Sequence, residues 1–316
     1  MIESIELIKD IGAARIIGMG NYRETIDSDV PDLKPLLKAT LGASVRRIDR
    51  FIQLALIGAA RCIHSARHID AEQSIQPPSD TAIYIASGRG DMEITVEVQR
   101  DLFVNGHEPK PLNFINTVSN AASFYIAQSF GLCGRNQFIA NRHWAFEVAL
   151  QSALLDLQLG NIDSALVGVV DVVVPPIAEH RQRLKLSETT TLAEGSHWLW
   201  LDNDTLPATT LGSIEGVYPF IDRQELADWI KSPSLAPENQ FCSRGQFMTP
   251  EDFAAVRQHG ELQQEFIYRD DTMGYYDSQS GSAIAAFIES SQRDARFLHI
   301  NSDPLQRYIA MVARKS

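Results

Sequence analysis

The side chains best placed for chemistry follow a short predicted strand near the middle of the chain. Residues 137–140 (QFIA) predict that strand, and an apolar-periodic stretch up to Leu159 predicts a long helix after it. A side chain at such a junction lies next to the free backbone N–H groups and the positive dipole end of the helix, which favour a reactive or anionic group. The junction reads Asn141-Arg142-His143. It therefore carries an imidazole and a guanidinium, but no cysteine, serine or threonine nucleophile.

Two kinds of role are open to this junction. His143 is a candidate base or acyl acceptor, because the helix dipole disfavours the charged imidazolium form. Arg142 is a candidate for an ion pair, or for binding a phosphate or a carboxylate. No nucleophile partner for His143 is evident beside it in the sequence. An acyltransferase or hydrolase centred on His143 is therefore one hypothesis, and a role without catalysis is the other.

The composition excludes several classes of function. The formal net charge of the 316 residues is −12, which argues against non-specific binding to nucleic acid or to an anionic membrane. No apolar run approaches the roughly 20 residues that span a bilayer, and the N-terminal stretch lacks the basic region of a secretory signal. The three cysteines, Cys62, Cys133 and Cys242, show no metal-ligand spacing. We therefore expect a soluble cytoplasmic protein with reduced thiols, no metal and no cofactor.

The elements that must position the junction alternate between strands and helices. Helical periodicity predicts a strong amphipathic helix over Ser44–Ile69 with arginines on its outer face, and Thr249-Pro250 predicts a helix start. Near-continuous apolar strands such as ALVGVVDVVV are typical of a largely parallel sheet that is covered on both faces. The chain is therefore predicted to be an α/β protein. Apolar runs predict strands at 14–20, 137–140, 164–174, 194–202, 209–218, 297–301 and 308–313.

Two related halves are predicted from the repetition of these elements. Each half contains a run of helix, strand, helix and strand, and we place the division between residues 1–205 and residues 206–316. The second half is shorter and less regular. Residues 222–246 are predicted to be irregular, and residues 181–191 form a polar segment.

Several motifs follow one another in a fixed order along the chain. They read IIGMG, RIDRFIQLALIGAA, NTVSNAASFYIAQSFGLCGRNQFIA, LQLGNIDSALVGVVD, AEGSHWLWLD and GYYDSQSGSAIAAFIE. In this order they resemble the motifs of β-ketoacyl synthases of the thiolase fold, the last one resembling the family's glycine–histidine turn and small-residue helix. The resemblance covers residues 12–202 and 265–316. It implies a thiolase-like layered αβαβα architecture with two related halves, the second of them shortened.

The resemblance also implies that the family's catalytic residues are replaced. Counting back 17 positions from Gly160 puts His143 where the family has its nucleophilic cysteine. Tyr275 stands in place of the histidine of the glycine–histidine pair, and a phenol keeps its proton near neutral pH. A second family histidine is matched only by His259-Gly260, which we interpret as structural residues at a helix end. Without the thiolate and the imidazoles, the family's condensation chemistry is not expected.

The resemblance then implies a catalytically inactive subunit, a pseudoenzyme in the manner of a chain-length factor. It would pair with an active ketosynthase in fatty acid or polyketide-type chain elongation. The strand Asn136–Ala140 is implied to pair across the dimer, with a ketosynthase subunit or with a second copy of this chain. Bulky side chains near the acyl tunnel are implied to limit chain length, the alternative being that they are ordinary core aromatics; they are Phe124, Tyr125, Trp144 and Phe146.

A contact with an acyl carrier protein is a further implication of the resemblance. Such carriers are acidic, and Arg46, Arg47 and Arg50 form a basic patch that is a candidate docking surface in spite of the negative net charge. The alternative interpretation is a solvated helix face. A scaffold that only binds the carrier protein is therefore another hypothesis for the whole chain.

Overall fold

The computed structural model of the chain describes residues 13–70, 73–118, 120–232, 235, 239–268 and 273–316. Most of the stretch considered for a secretory signal lies outside the described residues. In chain order the strands are β1 (Ala14–Ile26), β2 (Ala82–Ser87), β3 (Asn136–Ala140), β4 (Ser164–Asp171), β5 (Leu192–Asp202), β6 (Gly212–Phe220), β7 (Gln240–Arg244), β8 (Gln264–Glu265), β9 (Arg296–Ser302) and β10 (Tyr308–Lys315). The helices are α1 (Lys34–Leu41), α2 (Arg50–Ser65), α3 (Met92–Phe103), α4 (Pro111–Asn116), α5 (Ala121–Phe130), α6 (Ala145–Gln158), α7 (Ile177–Leu184), α8 (Arg223–Ile230), α9 (Pro250–Gly260) and α10 (Ser280–Glu289).

The strand order of the sheet shows an internal repeat. Within the described residues the order is β3-β2-β4-β5-β1-β6-β10-β9-β7-β8. The last five strands repeat the first five in mirror order, because β6, β7, β8, β9 and β10 take the places of β1, β2, β3, β4 and β5. Strand directions repeat as well, with the three outermost strands of each half parallel to one another and all other pairs antiparallel. The prediction of two related halves is therefore confirmed.

The prediction of a largely parallel sheet is wrong. Five of the neighbouring strand pairs described are antiparallel, among them β4 with β5 and β1 with β6. Every residue of β4 and of β5 is buried. A strand covered on both faces reads as a continuous apolar run whichever way its neighbour points. The burial of these strands on both faces was therefore predicted correctly. Whether neighbouring strands run parallel or antiparallel could not be inferred from the same apolar pattern.

Three apolar cores divide the molecule into layers. Along β10 the odd-numbered residues 309–313 face the central core, and the even-numbered residues 308–312 face an outer core. The central core contains the buried faces of α6 and α10, packed between strands of both halves. One outer core places α2 and α5 on the first half, and the other places α8 and α9 on the second half. The result is the predicted αβαβα architecture.

The predicted division after residue 205 falls between β5 and β6, where the internal repeat also changes from its first to its second copy. The central core draws buried side chains from both copies, including Leu150 of α6 and Phe287 of α10. The division into two domains stays a prediction, since the halves share this core.

Helix α2 differs from its prediction. The sequence predicted an amphipathic helix over Ser44–Ile69, but the helix begins at Arg50 and ends at Ser65. Its start is fixed by Asp49, whose side chain accepts a hydrogen bond from the Ile52 N–H. It is buried on almost every side, and Arg50 itself forms a buried ion pair with Glu194 of β5. The predicted arginine-rich outer face is therefore wrong.

Two glycines of β1 explain how α2 lies so close to the sheet. A Cβ atom on Gly20 would stand 2.1 Å from the Gly58 carbonyl oxygen, and one on Gly18 would stand 2.6 Å from the Cys62 carbonyl oxygen. Any larger side chain would push the helix away from the strand. The IIGMG motif is therefore a packing motif between β1 and α2.

Some elements were missed in the second half. Residues 222–246, predicted to be irregular, contain α8 and β7. Helix α8 is only eight residues long, too short for a clear periodicity, although Asp222 caps it by accepting from the Glu225 N–H at 2.9 Å. Helix α7 overlaps the segment predicted as polar, and the predicted strand 164–174 ends at Asp171. No helix in the described part of the chain is long and apolar enough to cross a membrane.

Two capping carboxylates face each other at the starts of α2 and α3. Asp49 and Asp91 each use one oxygen as a helix cap, Asp91 accepting from the Ile94 N–H at 3.3 Å. The second oxygen of each is buried, and the two carboxyl groups can share one proton in a hydrogen bond from Asp91 to Asp49. Burial and the neighbouring Asp49 raise the pKa of Asp91 to about 9. The folded protein therefore keeps a proton there that an exposed aspartate loses.

We predict that Asp91→Asn flattens the pH dependence of stability. The pKa of Asp91 rises from 3.8 to about 9 on folding, so the stability that its proton contributes is fully present below pH 3.8 and is lost as the pH approaches 9. Asparagine caps a helix as well as aspartate does, and it does not titrate. Urea unfolding at about pH 6 and about pH 9 measures the effect: the variant should lose less stability between them than the wild type.

Asp222→Asn is the matched control, since Asp222 makes the same cap hydrogen bond from an exposed position. We expect it to keep the wild-type pH slope. If the unfolding free energy of Asp91→Asn changes with pH as much as that of the wild type does, Asp91 does not keep a proton in the folded protein.

Candidate functional site

The predicted junction lies where parallel strands end side by side. In the parallel register Ser87 of β2 stands opposite Ala140 of β3, and Ala86 stands opposite Val169 of β4. The N–H of Asn141 continues this contact by donating to the Ser87 carbonyl oxygen at 3.1 Å. Ligand sites in open α/β sheets lie at such carboxyl ends of strands. The structure therefore puts the junction at the edge of the sheet where a site is expected.

The asparagine of the junction satisfies the N–H groups at the helix start. The side-chain oxygen of Asn141 accepts from the N–H groups of His143 and Trp144, each at 3.1 Å. Helix α6 then begins at Ala145, two residues after His143. Asn141 therefore bonds the N–H of the N-cap residue Trp144 and that of His143, which precedes the helix.

His143 is held by its backbone, and its ring packs against an aromatic side chain. The His143 carbonyl oxygen accepts from the Asn301 side-chain amide at 3.0 Å, and the ring centroids of His143 and Phe247 are 4.7 Å apart. Partial burial, followed by the neighbouring Arg142, lowers the pKa of His143 below its ordinary value. No hydrogen bond to its ring was found in the described part of the chain. The junction therefore holds a neutral imidazole without a nucleophile or an orienting group beside it.

Tyr275 lies beside the Arg142 side chain of the junction and is fixed in place. Its hydroxyl donates to Asp277 at 2.8 Å, and Asp277 accepts from the Arg89 Nε at 2.7 Å. Its backbone bonds the strand residues Thr191 and Ala193. Burial, and then the Asp277 carboxylate, raise the pKa of the Tyr275 phenol. Tyr275 therefore stays protonated near neutral pH and acts as a hydrogen-bond donor to Asp277.

His259 lies away from this site. It is exposed near the end of α9, where its Nδ1 bonds the Ala255 carbonyl oxygen at 2.7 Å. The interpretation of His259-Gly260 as structural residues at a helix end is consistent with this placement. The segment that does reach the junction is the end of β7, which reads Arg244-Gly245 and leads to Phe247.

A buried polar network below the junction was missed from the sequence. Glu147, in the first turn of α6, accepts from the Ser280 hydroxyl at 2.6 Å and from the Asn301 amide at 3.1 Å. His299 continues the network, with its Nε2 3.1 Å from Ser280 and its Nδ1 2.8 Å from Ser243. Burial raises the pKa of Glu147. A carboxylate inside the apolar run FEVALQSALL was the only sequence signal for this network.

The four aromatic tunnel candidates do not form one cluster. Phe124 of α5 is 56% exposed, and its ring packs edge-on against Tyr125 at 5.5 Å. Trp144 packs partly against the central core with the Arg307 guanidinium over its ring at 5.4 Å. Phe146 is fully buried in the central core, as an ordinary core residue is. The tunnel-lining role stays a prediction.

The three arginines proposed for carrier docking are separated by burial. Arg46 and Arg47 are exposed in the segment before α2. Arg50 is only 9% exposed, donates to the Pro31 carbonyl oxygen and forms the ion pair with Glu194. The inclusion of Arg50 in a docking surface is therefore wrong, because its guanidinium is buried and paired with the Glu194 carboxylate. Its partner Glu194 is 144 positions away in sequence, so no local pattern indicated the pair.

The comparisons with known proteins agree with this fold. A family model described as the β-ketoacyl synthase N-terminal domain matches residues 17–191. A search of curated proteins gave no match. One solved structure, described as the ishigamide ketosynthase/chain length factor, gives a TM-score of 0.75 at 15% identity and covers 96% of this chain and 99% of that chain.

A second solved structure is described as apo AntDE:AntF, a type II PKS acyl-carrier protein in complex with its ketosynthase bound to the hexaketide. It gives a TM-score of 0.67 at 14% identity and covers 96% of this chain and 100% of that chain. At these identities the likeness of both structures to this chain shows the shared fold.

We predict that His143 titrates below the 6.5 of an ordinary histidine. Burial is the larger cause and Arg142 the next, so Arg142→Ala should raise the pKa of His143 towards 6.5, whereas Asp303→Asn should lower it further. NMR titration of ¹³C-labelled histidines, assigned by the loss of one signal in His143→Gln, measures these shifts.

Arg293→Ala is the control. Arg293 is exposed after α10 in the second half, and no hydrogen bond or ion pair of its side chain was found in the described residues. It should leave the His143 titration unchanged. If the pKa of His143 in the wild type is 6.5 or higher, the interpretation that burial and Arg142 favour its neutral form is contradicted.

Proposed function

This chain belongs to the β-ketoacyl synthase family, and we propose that it is a non-condensing member that pairs with an active ketosynthase in fatty acid or polyketide-type chain elongation. The observation that carries the proposal is the junction before α6. Counting from the family pattern puts the nucleophilic cysteine at His143, and the family's glycine–histidine pair reads Gly274-Tyr275. Without this cysteine and this histidine the chain would not catalyse condensation.

The chemistry of condensation supports this choice over a condensing enzyme. A thiolate is needed to hold the acyl chain, and imidazoles are needed to stabilise the developing enolate oxygen. Here the junction imidazole of His143 has no nucleophile beside it, and the Tyr275 hydroxyl is committed to Asp277 at 2.8 Å. The N–H groups of His143 and Trp144 are taken by Asn141. A role as a partner subunit requires none of these groups.

The outer edge of the first half supports a pairing role. Strand β3 is the first strand of the sheet and bonds only to β2 in the described part of the chain, with Asn136 and Ala140 exposed. An unpaired edge strand is a template for another strand. The helices that precede β3 carry an unusual set of exposed apolar side chains: Leu102, Phe103, Val104, Phe114, Ile115, Val118 and Phe124. Exposed apolar patches of this kind are typical of protein interfaces.

Two considerations favour a ketosynthase as the partner. A thiolase-fold subunit presents its own edge strand, so two such edges could join into one sheet across the dimer. The chain is also similar in fold to structures described as a ketosynthase/chain length factor and as a carrier protein in complex with its ketosynthase. In this assembly the exposed ring of Phe124 would meet the partner, where we propose that it limits the space for the acyl chain.

We predict that Ile115→Asp weakens assembly with the partner ketosynthase. Ile115 is 60% exposed, so the variant should fold normally while placing a charge in the apolar interface. Co-expression and size-exclusion chromatography with light scattering measure the fraction of heterodimer. We expect a loss of about tenfold or more in affinity, which corresponds to about 1.4 kcal/mol.

Ile221→Asp is the matched control, since Ile221 is 75% exposed after β6 in the second half. It should assemble as the wild type does. If the wild-type chain stays monomeric or forms only self-dimers with every candidate ketosynthase, the heterodimer proposal fails.

We also propose that Arg46 and Arg47 contact an acyl carrier protein. Both side chains are exposed, and no ion pair of either was found in the described residues, so their charges are available to an acidic partner. Arg46→Glu with Arg47→Glu should weaken carrier binding at low salt by several-fold, and the difference should shrink at high salt. Surface plasmon resonance with the carrier protein measures both conditions. Arg293→Glu is the control for a single charge reversal, with the same change of charge as Arg46→Glu or Arg47→Glu alone, and a loss in it equal to that of either single variant would contradict the docking site.

A further inference from the structure

An open groove lies on the outer face of the second half, between β6 and α8. Its volume is about 500 Å³, which falls within the roughly 300–1,000 Å³ of small-molecule sites. Side chains of β6 and β10 line one side, and side chains of α8 and of the residues after it line the other. The lining includes Tyr218, Phe220, Glu225, Asp228, Trp229 and Leu235. The groove is therefore large enough for a small ligand, and it shares no residue with the junction before α6.

Three aromatic rings form the apolar part of the groove. The centroid of the Trp229 ring lies 4.8 Å from that of Tyr218 and 5.0 Å from that of Phe220, and the ring planes are tilted by 42° and 48°. Phe220 is buried, whereas Tyr218 and Trp229 keep part of their surface exposed. The face of an aromatic ring attracts a cation, and indole attracts it most strongly. The two partly exposed rings therefore give the groove a wall that favours a positive charge.

Two carboxylates of α8 stand beside these rings. Glu225 and Asp228 are three residues apart and so lie on one face of the helix, with Trp229 next to them. Glu225 accepts from the Ile221 N–H at 2.8 Å, and Asp228 accepts from the Gln224 side-chain amide at 2.9 Å. Both carboxylates are exposed, and no ion pair of either was found in the described residues. Their negative charges are therefore available to a cation in the groove.

The basic residues at the two ends of α8 are paired with acidic residues of the neighbouring helix. Arg223 lies 3.2 Å from Asp252 in the first turn of α9, and Lys231 lies 3.6 Å from Glu261 at the end of α9. None of these four residues lines the groove. Positive charge near α8 is therefore directed towards α9, and negative charge towards the groove.

A third carboxylate of the groove, Glu215 of β6, is paired with two arginines. Its oxygens lie 2.6 Å from the Arg314 Nε and 2.8 Å from the Arg296 Nε, and neither guanidinium lines the groove. Burial, and then Glu215, raise the pKa of Tyr218 above its ordinary value, so the phenol ring stays uncharged. With the two α8 carboxylates included, three negative groups stand against two positive ones. The charge around the groove is therefore net negative.

Aromatic walls beside unpaired carboxylates match the chemistry of an organic cation. We propose that the groove binds a small molecule with a methylated ammonium group, which lies against the Trp229 and Tyr218 rings with Glu225 and Asp228 beside it. Quaternary ammonium groups are recognised in this way, through ring faces and nearby negative charge. The methyl groups bury apolar surface against the rings, which a compact and strongly hydrated ammonium group does not.

Choline binding to the full chain tests the inference. The comparison ligand is the neutral isostere of choline, in which a carbon atom replaces the ammonium nitrogen, so that shape is kept and charge is removed. Calorimetry, or NMR of the Trp229 indole N–H assigned by its loss in Trp229→Phe, measures both affinities. We expect choline to bind roughly tenfold more tightly than the isostere. Equal affinities, or no binding of choline at millimolar concentration, would overturn the inference and indicate rings that serve only to pack α8 on the sheet.

Glu225→Gln separates the charge from the fold, because glutamine keeps an acceptor for the Ile221 N–H. It should weaken choline binding several-fold and leave binding of the neutral isostere unchanged. Trp229→Leu should weaken choline binding roughly tenfold. If the leucine variant does not fold, the ratio of choline affinity to isostere affinity in Glu225→Gln decides.

Glu251→Gln is the matched control, because Glu251 is an exposed carboxylate in the first turn of α9 and does not line the groove. It should bind choline as the wild type does. Equal losses of choline affinity in Glu225→Gln and Glu251→Gln would contradict the site. This test is independent of the proposed pairing with a ketosynthase, which is tested by assembly.

Discussion

The central layer formed by α6 and α10 is the constraint on which the rest of the structure depends. Strands of both halves of the sheet pack on these two helices, so neither half has both of its faces covered without the other half. The layer is joined by the buried Glu147 carboxyl, which bonds Ser280 of α10 and Asn301 of β9. Loss of a buried acceptor leaves its donors unsatisfied, at about 1–3 kcal/mol each. The polar network therefore fixes how the halves meet, whereas the apolar contacts supply most of the stability.

The same layer determines where a site can form. His143 lies two residues before α6, and Tyr275 lies five residues before α10, so each lies in the segment that leads into a central helix. Asn301 connects the two by bonding the His143 backbone and Glu147 together. The pKa of His143 responds to Asp277, which Tyr275 holds. A site shared by both halves is thus a consequence of the internal repeat.

Features that depend on interactions between residues close in sequence could be predicted, whereas features that depend on residues distant in sequence could not. The junction at 141–143 was predictable because local periodicity marks both β3 and α6. The pair Arg50–Glu194 and the pair Arg89–Asp277 span 144 and 188 positions, and nothing in their neighbours indicates them. For this reason Arg50 was assigned to a surface patch, although it is buried and paired with Glu194. The direction of the strands could not be predicted for a related reason. A strand buried on both faces lacks the alternation of apolar and polar residues that is typical of antiparallel sheets with one exposed face.

The environment of the junction bears on how the family's chemistry could have been lost. Under the proposed role, replacing the nucleophile alone would leave a helix start with free N–H groups, which still attract an anion. In this chain Asn141 bonds the N–H of the N-cap residue Trp144 and that of His143 before it, and the ring of Phe247 packs against His143. Recovery of condensation would thus require an open helix start and two imidazoles in addition to a cysteine.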